Sequence, residues 1–112
     1  MSTTSTSAKR KMQDTVEAIL AKTGIDHAYD HAPADAVALP YIVWTYEEEN
    51  FYADGEIYYT HYAITLTLYE AERSDAVESA VGTALAGRYA ESTADYDEDS
   101  GLYEISYAFD IG

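Results

Sequence analysis

The sequence predicts an α+β fold in the order helix–hairpin–helix–hairpin. An antiparallel sheet of about four strands carries two helices on one face. Three observations point there. Two segments space their apolar residues as amphipathic helices do. Two pairs of β-branched and aromatic runs are each joined by turn residues. The two kinds of segment alternate along 112 residues, a length suited to one domain.

Residues 1–7 read as a flexible polar tail, followed by a single α+β domain over 8–112. The first helix is predicted over 8–23, where Met12, Val16, Ile19, Leu20 and Thr23 form one stripe and Gly24 supplies a stop. Residues 24–40 contain Pro33 and Pro40 and no clear period, so they read as a long connection pinned by Ile25, Tyr29, Val37 and Leu39.

Tyr41 to Tyr46 has the composition of a strand, and 56–69 of another, with Ile64, Leu66 and Leu68 on one face. Ala53-Asp54-Gly55 between them is a hairpin turn signal, because glycine takes a positive φ without steric cost. Glu47, Glu48 and Glu49 belong to its exposed arm. The second helix, 74–86, opens on Asp75 and Glu78, which resemble a capping box. Val77, Ala80, Val81, Ala84 and Leu85 make its stripe, and Gly87 ends it. The last hairpin pairs a weak strand, 88–96, with a strong one, 102–111. In the strong strand Tyr103, Ile105, Tyr107, Phe109 and Ile111 share a face.

Charge narrows the partners. The net charge is -15, and it is unevenly placed: residues 1–23 sum to +2 and residues 24–112 to -17. Such a surface repels phosphate and anionic membranes, which argues against specific DNA binding by the body and favours basic or cationic partners. With no cysteine there is no disulfide and no thiolate chemistry. No apolar run is long enough for a membrane span, and the N-terminus has no signal-like apolar stretch. Twelve tyrosines against two Phe and one Trp suit either a half-wet sheet or protein contacts.

Candidate chemistry is thin. Asp95, Asp97, Asp99 and Gly101 resemble a calcium loop, but glycine falls at the seventh position and Ser106 at the twelfth, so a solvated acidic turn is the expectation. His27 and His31 lie in the loop without a HExxH context, and His61 stands alone in a strand. The pairs Glu47–Glu49 and Glu70–Glu72 fall in acidic runs near strand ends and are expected to be solvated. Nothing supports an enzyme, a cofactor or a metal site.

The series Leu39-Pro40-Tyr41-Ile42-Val43-Trp44 and Asn50-Phe51-Tyr52-Ala53-Asp54-Gly55-Glu56-Ile57-Tyr58-Tyr59 resembles a family of small proteins of tailed bacteriophages and prophages. Leu68-Tyr69, the charged helix start Arg73 to Glu78, the Tyr-rich acidic hairpin, and Gly24 to His31 with its Tyr29 continue the likeness over about residues 16–111. The family is that of tail-terminator, tail-completion or head–tail joining proteins. This chain is poorer in Lys and Arg and richer in Ala, Thr and acid. The resemblance implies a subunit made in the host cytoplasm that ends in the virion neck or tail. It would form a homo-oligomeric ring, typically a hexamer, capping the tail tube and meeting the connector. DNA would pass through the ring.

Phe51 and Tyr52, beside the turn at Asp54 and Gly55, are expected either in an arm that contacts a neighbouring subunit or the tail tube, or packed on their own sheet. Glu47, Glu48, Glu49, Asp95, Asp97 and Asp99 are candidates for an acidic lumen or surface. The alternative is a small acidic DNA mimic that inhibits a host nucleic-acid-binding protein.

Overall fold

A computed structural model describes residues 3–31, 38–53, 55–86 and 88–111. Its elements run α1 (Thr3–Thr23), β1 (Asp26–Tyr29), β2 (Tyr41–Ala53), β3 (Glu56–Glu70), α2 (Asp75–Leu85), β4 (Tyr89–Asp97) and β5 (Leu102–Ile111). The sheet has five strands in the order β1-β2-β3-β5-β4. The α+β class and both hairpins agree with the sequence reading.

Three differences stand out. The predicted sheet of about four strands has a fifth, β1, inside the segment read as a connection. It pairs parallel to β2, with Asp26 opposite Tyr41 and Tyr29 opposite Trp44. Four residues are too few to show a period, which is why the pattern missed it. Second, α1 begins at Thr3, inside the segment expected to be a polar tail. Third, the cap of α2 is Ser74, whose side chain accepts from Val77 N at 3.3 Å, so Asp75 is the first helical residue rather than the cap. Gly87 and Val37 lie outside the described residues.

Strand periodicity sorts the sheet into two faces. Ile42 and Trp44, Ile64, Leu66 and Leu68, and Ile105, Tyr107 and Phe109 all point to one side and are buried there. Met12, Val16, Ile19 and Leu20 of α1 and Val81, Ala84 and Leu85 of α2 cover them in a single apolar cluster. Both predicted helix stripes therefore face the core. Burying a Leu or Phe side chain in such a layer contributes about 1.5–3 kcal/mol. Strand β4 lies at the sheet edge, beyond the helices, and residues 91–96 are exposed on both faces.

The hairpin outruns the body. β5 ends at Ile111, opposite Tyr62, so β3 residues before Tyr62 pair with β2 alone. The result is a two-stranded arm over about residues 49–61, which helps to make the molecule 50 Å long against 31 and 24 Å in the other directions.

Candidate functional site

The arm combines exposed aromatics with acid. Phe51, Tyr52 and Tyr59 are 47%, 64% and 47% exposed. Phe51 faces Tyr59 across the ladder, with ring centroids 5.3 Å apart, and stacks at 6.0 Å on His61. An isolated two-stranded ribbon is marginal in water, and cross-strand aromatic pairs of this kind help to hold one. Thr60 Oγ1 adds a 2.7 Å hydrogen bond to Asn50 Oδ1. At the base of the arm His61 Nε2 lies 3.2 Å from Asp110 Oδ1 and 3.6 Å from Glu49 Oε1, tying β3 to both neighbouring strands. Tyr62 is buried there, and its phenol pKa is raised by that burial and then by the Glu48 carboxylate.

Gly55 adopts φ +81, the positive value its turn requires. Asp54 lies outside the described residues. Glu47, Glu48 and Glu49 are exposed and lie in β2, one strand of the hairpin, as expected.

The second acidic stretch is the β4–β5 turn. Asp97 organises it: its Oδ1 accepts from Asp99 N at 3.1 Å, its Oδ2 from Ser100 Oγ at 3.0 Å, and its carbonyl from Gly101 N at 2.8 Å. Asp95 and Asp99 are exposed. Among the described residues no group of three or more His, Asp or Glu side chains converges as a metal site. The register separates the two acidic stretches. Glu48 lies opposite Tyr62, whereas Asp97 closes the strand pair beside Tyr103, the partner of Glu70. From Tyr62 to Glu70 is roughly 25 Å of strand, so the stretches occupy opposite ends of the sheet.

His27 Nε2 meets Glu17 of α1 at 3.0 Å, and His31 is exposed beside Asp30. The loop histidines are thus apart in role: His27 fastens β1 to α1, and His31 faces solvent.

The expectation that Glu70 is solvated was wrong. Glu70 is 2% exposed, because it continues the inward alternation of Ile64, Leu66 and Leu68. That alternation was readable in the sequence. Its Oε2 accepts from Ser74 N at 3.1 Å, while no donor reaches Oε1. Burial, and then the neighbouring Glu78, push its carboxyl up to about 7. Arg73 donates twice to Glu78, at 2.6 and 2.7 Å, and holds that carboxyl below its ordinary value. The cluster ties the end of β3 to the start of α2. Glu72, its predicted companion, is exposed.

One groove had no sequence signal. Between the C-terminal parts of α1 and α2, Ile19, Ala84 and Leu85 line an open depression of about 390 Å³, flanked by Lys22 and Arg88.

No family model matches the sequence, and no curated protein matches it. Its fold is found in a virion. The chain superposes with a TM-score of 0.61 on one from the virion of a native gene transfer agent (GTA) particle. The match covers 88% of this chain and 87% of that one, at 13% sequence identity. At that identity the likeness is one of fold.

Proposed function

We propose that the protein is a structural virion subunit of a tailed bacteriophage, a tail-terminator or tail-completion protein. It forms a ring, six-fold by family resemblance, that caps the tail tube and joins it to the connector. The observation that carries this reading is the fold shared, over nearly the whole of both chains, with a component of a gene transfer agent virion. The projecting arm supports it. Exposed aromatics on a hairpin are costly in water and useful in a contact.

The role is assembly rather than catalysis. Glu70, the one carboxyl pushed up to about 7 among the described residues, is engaged at the joint between β3 and α2. The two acidic stretches lie at opposite ends of the sheet, so they line one channel only if the strands run along its axis. The β4–β5 turn, with Asp95, Asp97 and Asp99, is the better candidate for a DNA-facing rim, where like charge lets DNA slide rather than adhere.

Electron microscopy of purified particles tests the proposal. It should locate the chain as a closed ring between head and tail. Particles that lack the chain, together with a soluble monomer or dimer that inhibits a host nuclease or repressor, would favour the DNA-mimic reading instead.

A further inference from the structure

We infer that the arm of one copy docks in the groove between the C-terminal parts of α1 and α2 of a neighbouring copy. The inference rests on the ring-subunit reading and names the two surfaces that such a ring would join.

Charge selects the pair. The chain has six Lys and Arg against 21 Asp and Glu. Lys9 reaches Glu48 at the base of its own arm and Arg73 is taken by Glu78. Arg10, Lys11, Lys22 and Arg88 make no ion pair among the described residues, and of these Lys22 and Arg88 flank one groove. Lys22, in the last turn of α1, also offsets the partial negative charge at that helix C-terminus, which would otherwise repel an acidic partner. The arm and its base offer the complement: Glu47, Glu49 and Glu56 with no Lys or Arg between 47 and 61, and the half-exposed rings of Phe51 and Tyr59. The groove between the two cations is open, of mixed polarity and about 390 Å³ in volume.

The arm does not fill its own groove, since its rings remain exposed while it pairs within the sheet. Arm and groove are different surfaces of one chain. Their contact is therefore head-to-tail, the kind that closes into a ring when the rotation permits.

The chain has no cysteine, so a disulfide test is free of background. A chain carrying Tyr52→Cys, on the arm, is mixed with one carrying Ala18→Cys, an exposed residue lining the groove. Mild oxidation should give a linked heterodimer in the mixture and not in either chain alone. Sedimentation of the wild type is run in parallel, alone and with tail tubes. Lys22→Glu with Arg88→Glu should weaken assembly at least tenfold, and adding Glu47→Lys with Glu49→Lys should recover most of it. Ring-sized oligomers without the cross-chain disulfide, or without sensitivity to the charge reversal, overturn this docking and leave the ring reading standing. A wild type that never assembles overturns both.

Discussion

The same two strands build the core and the arm, with opposite results. Over Tyr41–Tyr46 and Tyr62–Glu70, β2 and β3 put Ile42, Trp44, Ile64, Leu66 and Leu68 under two helices and bury them. Over about 49–61 they run on past the sheet, with Glu49 and Glu56 and rings that stay exposed. Folding accounts for the first half, because each inward side chain removes apolar surface from water. It does not account for the second, where Phe51 and Tyr59 pack on each other and on His61 and, like Tyr52, stay about half exposed or more. Surface that does not serve the fold is the place to look for what the protein touches.

The comparison can be broken at four points, from the largest effect on stability to the smallest. In the body, Leu66→Ala should lower unfolding free energy by about 2–5 kcal/mol in a urea titration, since Leu66 is fully buried.

At the joint, pH is the probe. Glu70 has a folded value raised to about 7, above its unfolded one near 4.5. Its contribution is complete at low pH and is lost as pH rises from about 4.5 through 7. Glu78, held low by Arg73, acts in the opposite sense and only at the acid end. Wild-type stability should therefore fall by on the order of 1–3 kcal/mol between pH 5 and 8, and Glu70→Gln should flatten the profile. An equal slope in both chains would remove Glu70 from the explanation.

Ser74→Ala should cost about 1 kcal/mol by deleting the α2 cap, seen as a lower melting temperature. In the arm, Phe51→Ser with Tyr52→Ser should change stability by no more than about 0.5 kcal/mol, the scale of surface substitutions. A double variant that unfolds would make these rings part of the core after all.

What the sequence disclosed follows the length and regularity of each pattern. The stripes of α1, α2, β3 and β5 are long enough to fix both type and buried face, and they fall where expected. β1 is four residues held by parallel pairing to a distant strand, so its evidence lies in β2 rather than in itself. Glu70 was misread by residue type, since an acidic run suggests solvent while its place in the alternation demands burial. Phe51, Tyr52 and Gly55 were legible as a hairpin tip. The groove between α1 and α2 was not, because Ile19, Lys22, Leu85 and Arg88 meet only through tertiary packing. Nor could composition separate Glu47–Glu49 from Asp95–Asp99, which the register sends to opposite ends of the sheet.

Sedimentation velocity of the wild type beside the Phe51→Ser, Tyr52→Ser variant tests most directly the claim that the arm exists for contact. The account predicts a discrete ring-sized species for the wild type, alone or on tail tubes. For the variant it predicts a monomer with an unchanged melting temperature. A wild type that stays monomeric and is absent from particles, or a variant that assembles as well as the wild type, would contradict it.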